Sequence, residues 1–283
     1  GEWTSNEMEP TAKIGCMFGY GGSNQMHHTK GRRRDLVERA KKKGIYIITF
    51  DGGILSSFGN TITHPKHHWR VSLYSPMNNG NFLSDDSPPD RWEMMKKLWN
   101  VKYEPWRQSE QKDPILFVLQ PKDNWSMNEL DPIQWFNDVY SKIRPLTSRE
   151  FLIRPHPNHM AHIEDRIGEF PKDCKVIIGQ KFFSGDEKKY YRFDFQKAIT
   201  NCHAVITHNS TASIDSCVRG IPTFVTSNLA ICWPVANKDL NKIESPEYPD
   251  RTQWVYDIGY KQWTEKEIRN GLVFKRFKEK LGL

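Results

Sequence analysis

Residues 201–227 read NCHAVITHNSTASIDSCVRGIPTFVTS, two short apolar runs parted by a polar turn and a helical pattern. Its first apolar run, His203-Ala204-Val205-Ile206-Thr207, is short and rich in β-branched residues, as a buried strand requires. It runs into His208-Asn209-Ser210-Thr211, where Asn, Ser and Thr are the residue types that begin helices. Ala212, Ile214 and Val218 then share one face of a predicted helix that stops at Gly220. After Ile221-Pro222, Thr223-Phe224-Val225 reads as a second strand. Strand, polar turn, helix, strand is a βαβ unit, so the sheet containing it is parallel. The helix start beyond the first strand offers unpaired amide N–H groups and positive dipole potential, both suited to phosphate. Ser210 and Thr211 add hydroxyl donors there without bulk, although capping the helix is the plainer role for Asn209 or Ser210.

The pattern extends outward in both directions. Ile115-Leu116-Phe117-Val118-Leu119 is a continuous apolar run of the kind buried on both faces of a parallel sheet. Asp131-Pro132 opens a predicted helix that reaches Ile143, with cap and proline in the favoured order. Phe151-Leu152-Ile153 is a strand ending in Arg154-Pro155-His156-Pro157, Lys175-Val176-Ile177-Ile178 another strand, and residues 193–200 a helix. Further back, residues 13–18 form a strand that enters the turn Gly19-Tyr20-Gly21-Gly22, which matches neither GxGxxG nor a Walker A loop. A helix to Lys43 follows, with Leu36, Val37 and Ala40 inward. The strand over residues 45–50 then carries Asp51-Gly52-Gly53 at its end. The predicted class is α/β, with two Rossmann-like parallel-sheet lobes over residues 1–112 and 113–245, joined at Glu110-Gln111-Lys112-Asp113-Pro114. Residues 246–283 are a helical segment expected to pack back on the first lobe.

Residues 60–112 are less regular. His64-Pro65-Lys66-His67-His68-Trp69-Arg70 mixes imidazoles, an indole and positive charge, a mixture suited to phosphates and stacked rings and poor in metal ligands. Trp92, Trp99 and Trp106 recur every seven residues, which predicts core packing along a helix.

The chain has 283 residues, with 41 Lys and Arg against 34 Asp and Glu, a formal charge of +7. That surplus favours a polyanionic partner, DNA included, held by Arg32-Arg33-Arg34, Lys41-Lys42-Lys43 and His67-His68-Trp69-Arg70. Five scattered cysteines with no CxxC argue against a disulfide framework or a zinc site and for a reducing compartment. No apolar stretch approaches the ~20 residues of a membrane span, and residues 1–10 are too polar for a secretory signal, so the expected location is cytoplasmic.

The second lobe gathers an Arg, two imidazoles and two hydroxyls at strand ends, a set that holds a phosphate or diphosphate: Arg154, His156, His208, Ser210 and Thr211, with Asn209 beside them. In the first lobe Asp51 is the carboxylate placed to take a proton from an attacking hydroxyl, with His27 or His28 in reserve. No D-x-D triplet occurs, so no metal is expected at the diphosphate.

Pairing His156-Pro157 after one strand with Ser210-Thr211 after a later one resembles the GT-B-type bacterial sialyltransferases and the capsule Kdo-transferase group. The resemblance implies that His156 and the hydroxyl pair hold the phosphate of a UDP- or CMP-linked sugar, and that Asp51 is the base. The family shows two acidic residues before the glycine where this chain has Phe50-Asp51-Gly52. A second set, residues 240–246, Pro249-Asp250-Arg251, Trp254 and Gln262-Trp263-Thr264, together with His68-Trp69-Arg70-Val71 and Trp106-Arg107, is similar to phage-encoded GT-B-like glycosyltransferases. That likeness implies hydroxymethylated pyrimidine in phage DNA as acceptor, the host cytoplasm as location, and Glu244, Arg251 and Trp254 as further site residues. A surface polysaccharide acceptor, nucleotide-sugar epimerisation and a non-catalytic nucleic-acid-binding module are the competing readings.

Overall fold

A computed structural model describes residues 13–19, 32–55, 68–122, 124–127, 130–183, 189–192 and 195–283. In chain order the first elements are β1 (Ile14–Phe18), α1 (Arg32–Lys42), β2 (Tyr46–Gly52), β3 (His68–Leu73) and α2 (Asp90–Trp99). Then come β4 (Ile115–Val118), α3 (Pro132–Ile143), β5 (Phe151–Arg154), α4 (Met160–Glu164), β6 (Cys174–Val176), β7 (Gln180–Phe183) and β8 (Lys189–Arg192). The last are α5 (Phe195–Thr200), β9 (Ala204–Thr207), α6 (Ala212–Val218), β10 (Thr223–Val225), α7 (Thr252–Tyr260), β11 (Gln262–Thr264), α8 (Glu265–Arg269) and α9 (Leu272–Leu281). The chain divides into two compact units: Gly1–Val101 with Arg251–Leu283, and Lys102–Asp250. The first division point lies upstream of Glu110-Gln111-Lys112-Asp113-Pro114, which is inside the second unit.

The sheet of the first unit has the order β1-β2-β3-β11. Only β1 and β2 run parallel; β3 is antiparallel to β2, and β11 antiparallel to β3. The expected all-parallel first lobe is therefore corrected to a mixed sheet. One face is covered by Val37 and Ala40 of α1, which meet Ile45 and Ile47. The other is covered by Tyr260, Val273 and Phe277 from the C-terminal segment, which meet Ile48, Val71 and Leu73. Arg91 of α2 fastens that return: its Nε donates to Gly259 O at 3.0 Å and an Nη to Gln262 O at 2.7 Å, while the guanidinium lies 4.1 Å over the Trp263 ring.

The reading of His68-Trp69-Arg70 as an exposed basic and aromatic surface is also corrected. These residues open β3, which has β2 on one side and β11 on the other. His68 is 1% and Arg70 6% exposed, and the His68 ring sits edge-on to Trp99 at 4.5 Å. Of the three periodic tryptophans, Trp92 is buried in α2, but the helix ends at Asn100, whose φ of 53° is left-handed. Trp106 lies beyond it in the second unit, its indole N–H donating to Pro249 O at 2.8 Å.

The second unit is built on a five-stranded sheet of order β10-β9-β4-β5-β6, parallel throughout. α3 starts as its sequence dictates: the Asp131 carboxylate accepts from the amides of Ile133 and Gln134, with Pro132 in the first turn. Its apolar stripe, Ile133, Phe136, Val139 and Ile143, lies on one sheet face around Phe117, whose ring meets Trp135, Phe136 and Phe151 edge to face. Ile199 of α5 and Ala212 of α6 cover the opposite face with Leu116, Val118 and Val205.

Candidate functional site

The strand order fixes where the site of the second unit falls. From β4 the chain winds to one side through β5 and β6, and later returns to the other side as β9 and β10. The order therefore reverses between β4 and β9, and open α/β sheets bind ligands beyond the carboxyl ends of strands at such a point. The β5 and β9 ends are not neighbours. β4 lies between them, which separates the two ends by roughly 10 Å at the ordinary strand spacing.

The residue that fills this gap is Gln120, two positions beyond β4. Its side-chain N–H2 donates to Asn209 Oδ1 at 2.7 Å and to Ser126 Oγ at 2.9 Å, and its Oε1 accepts from the Asn209 amide N–H at 2.9 Å. Asn209 Nδ2 donates in turn to Ser126 O at 2.8 Å. Asn209 is 3% exposed, and its side chain is engaged in fixing the β9 loop to the β4 loop.

Above this clasp, Ser210 Oγ accepts from the Ala212 amide at 3.3 Å and caps α6, while Thr211 makes no side-chain cap. Among the described residues the amide N–H groups of Ser210 and Thr211 and the Thr211 hydroxyl meet no protein partner, and both residues are half-buried. They are donors open to a ligand. At the β5 end, burial lowers the Arg154 guanidinium to about 10, opposed by the negative charge of Asp215 on α6. Burial, with the positive charge of Arg154 and His159 adding to it, holds the His156 imidazole down at about 4. The Arg154 charge thus bears on both His156 on its own loop and Asp215 on the helix that begins after Thr211. Burial also lowers His208. At neutral pH the cluster carries one guanidinium charge and two uncharged imidazoles, able to donate and accept hydrogen bonds. His208 Nδ1 lies 2.8 Å from Thr226 Oγ1.

Glu244 belongs elsewhere. Both its oxygens lie 3.1 Å from Arg149 Nε, and Thr147 donates to it; Arg149 also donates to the carbonyls of Glu110, Gln111 and Asp113. Asp113 and Arg149 precede β4 and β5, so Glu244 closes the amino-terminal edge of the sheet, away from the carboxyl ends that carry Arg154 and Ser210. Its expected role in donor binding is corrected to a structural one.

In the first unit, Asp51 stands at the end of β2. Its Oδ1 accepts from the Gly52 amide at 2.7 Å and lies 3.8 Å from Arg70 Nη2, in register across the β2–β3 ladder. Arg70, expected to hold nucleic-acid phosphate, is instead buried beside this carboxylate, with burial lowering its guanidinium and Asp51 opposing. Trp69 is half-buried, 5.1 Å edge-on from Phe18. Arg33 and Arg34 are half-buried on α1; Arg32 begins that helix, and its side chain lies outside the described residues, as do His27, His28 and His67 altogether. Arg251, 4% exposed, and Trp254, 7% exposed, are buried at the start of α7. Among the described residues no group of three His, Cys, Asp or Glu side chains is placed to hold a metal, and no helix is long and apolar enough to cross a membrane.

Two α/β units, one with a fully parallel sheet and a polar cluster at its carboxyl edge, place the chain in the GT-B-like fold class. Its structure is similar to KpsC of Thermosulfurimonas dismutans, a β-Kdo 2,4-transferase, with a TM-score of 0.51 and 12% identity over 91% of this chain and 86% of that one. A β-Kdo 2,7-transferase of the same KpsC aligns with a TM-score of 0.49 and 11% identity over 93% of this chain and 100% of the other. UDP-GlcNAc 2-epimerase of Methanocaldococcus jannaschii aligns at 0.36 and 11% identity, over 91% and 75%. Only the first of these alignments is close enough to bear on the fold. No family model and no curated protein sequence matches the chain.

Proposed function

We propose that the protein is a metal-independent glycosyltransferase, moving a sugar from a UDP- or CMP-linked donor to a hydroxyl. The observation that supports this reading is that Arg154, His156, Ser210 and Thr211 stand at or after the carboxyl ends of strands of one parallel sheet, whose strand order reverses between β4 and β9. In the reaction, the acceptor oxygen gives its proton to the Asp51 carboxylate and forms a bond to the anomeric carbon. The bond from that carbon to the phosphate oxygen breaks, and the electron pair leaves with the nucleotide. Arg154 supplies positive charge to the departing phosphate, while His156 and the donors of Ser210 and Thr211 hydrogen-bond to it. Residues 113–245 are then the donor lobe and residues 1–112 the acceptor side.

For the acceptor, the favoured candidate is 5-hydroxymethylpyrimidine in DNA. With His68 and Arg70 buried, its remaining support is the formal charge of +7. The test is incubation with a panel of nucleotide sugars and hydroxymethylated DNA, followed by digestion and mass measurement of the nucleosides. A hexose or pentose increment supports the reading; unshifted nucleosides with donor still consumed move the acceptor to a glycan. Replacing His156 or Ser210 by Ala is expected to weaken donor binding by about 1–3 kcal/mol. Unchanged binding in both variants removes the phosphate from this cluster.

A further inference from the structure

Three side chains from three elements meet in line at the carboxyl edge of the second unit. The indole N–H of Trp135, on α3, donates to Thr226 Oγ1 at 2.8 Å, and the same oxygen lies 2.8 Å from His208 Nδ1. Trp135 is 4% exposed, packed against Phe117 at 6.2 Å, and its ring stands edge-on to that of His208 at the same centroid distance. Thr226 directly follows β10 and His208 directly follows β9, strands paired through the register of Val225 with Thr207. The line is therefore held at each end by backbone that the fold fixes.

An indole N–H can only donate, so it takes one lone pair of the Thr226 oxygen. The threonine proton, at a solvent-exposed position, then goes either to water or to an acceptor in the protein. Among the described residues the only other group bonded to that oxygen is His208 Nδ1, and accepting this proton requires Nδ1 to be bare. The opposite tautomer would aim two N–H groups at one hydroxyl and leave its proton without a protein acceptor. His208 Nε2 has no protein partner among the described residues, and the residue is half-buried next to Ser210. The lowering of the imidazole by burial keeps it in the uncharged state in which tautomers are distinct.

We infer that Trp135 and Thr226 are positioning residues that hold His208 in the tautomer bearing its proton on Nε2, so that residue 208 acts as a hydrogen-bond donor to a phosphate-bearing ligand at the β9 edge. Each proton in the chain has one acceptor: indole N–H to threonine oxygen, threonine O–H to Nδ1, and Nε2–H to a phosphate oxygen. Polarisation along such a chain strengthens its last bond. The identity of the ligand rests on the donor site proposed above; the tautomer does not.

The test uses the full chain labelled with nitrogen-15. Imidazole nitrogen resonances of residue 208, assigned by their loss in His208→Gln, report the tautomer without any ligand. The expected spectrum has a bare Nδ1 and a protonated Nε2. Thr226→Val, at an exposed position, is expected to mix the tautomers, Thr226→Ser to restore the single one, and Trp135→Phe to weaken the preference. Titration with inorganic pyrophosphate is expected to show affinity falling about tenfold in Thr226→Val and recovering in Thr226→Ser, a change of about 1.4 kcal/mol. A proton on Nδ1 in the wild-type chain, or a tautomer unmoved by Thr226→Val, overturns the assignment. Wild-type protein that binds no pyrophosphate overturns its ligand. If the tautomer behaves as expected and no sugar is transferred from any donor, the glycosyltransferase reading falls alone. If sugar is transferred and the tautomer ignores Thr226, the positioning role falls alone.

Discussion

His156 shows how a single position serves two demands. An imidazole kept at about 4 by burial is uncharged at neutral pH, so it can share a phosphate with Arg154 without repelling that guanidinium. The same burial has a cost in stability that pH reveals. In the unfolded chain the imidazole takes its proton near 6.5, whereas in the folded chain it does so only near 4, so between these values the unfolded state binds more protons. Stability is therefore expected to fall as pH drops from 6.5 to 4, by up to roughly 3 kcal/mol, and to level off below that window. Denaturant unfolding across this range should show a flatter profile for His156→Gln; an identical slope in both proteins would mean the imidazole is solvated after all. Among single residues the sequence made legible the polar groups at the strand ends, Arg154, His156, His208, Ser210 and Thr211, since their placement after apolar runs is local. It left Gln120, Asp215, Thr226 and Trp135 unread, because each acquires its role only through a neighbour distant in the chain.

At the scale of elements, the clasp joins the β4 and β9 loops through buried side-chain hydrogen bonds. Asn209→Ala removes two side-chain hydrogen bonds from a buried position and leaves one N–H of the Gln120 amide without its acceptor, an expected loss of about 1–3 kcal/mol. Because Gln120→Ala removes the same side-chain bond between residues 120 and 209, the double variant should cost less than the sum, and a mutant cycle by chemical denaturation checks this. Additive losses would show that the two side chains are independent. The elements themselves were largely readable: βαβ from residues 203–225, α3 from its Asp-Pro start, and the continuous apolar run of β4. Where element reading failed, in His68-Trp69-Arg70, polar residues lie in a strand flanked on both sides, and no local pattern marks a strand as interior when its side chains are an imidazole and a guanidinium. The seven-residue spacing of Trp92, Trp99 and Trp106 failed for a similar reason, since Asn100 turns the chain out of the helix.

For the whole molecule, the second unit is one uninterrupted segment, Lys102–Asp250, whereas the first is assembled from two. A polypeptide of residues 102–250 is expected to fold alone and to keep whatever phosphate affinity the Arg154 and Ser210 cluster has, because its cores lie inside that segment. Residues 1–101 alone lack β11 and the Tyr260, Val273 and Phe277 cover, and are expected to stay unfolded until residues 251–283 are supplied. Circular dichroism melting of the two fragments decides this; a cooperative transition in residues 1–101 would contradict it. Periodicity led the sequence reading to two lobes with a returning C-terminus, but could not show the antiparallel course of β3 and β11, which depends on pairing rather than pattern.

That the fourth strand of the first sheet is β11 has a consequence for biosynthesis. On the ribosome the segment 102–250 is complete, and free to close around Phe117, while the earlier residues still lack their last strand and its helices. The order of maturation is expected to run against the order of translation: residues 102–250 settle first, and the residues before them wait, the sheet face that Tyr260, Val273 and Phe277 cover still open, until residues 251–283 have been made.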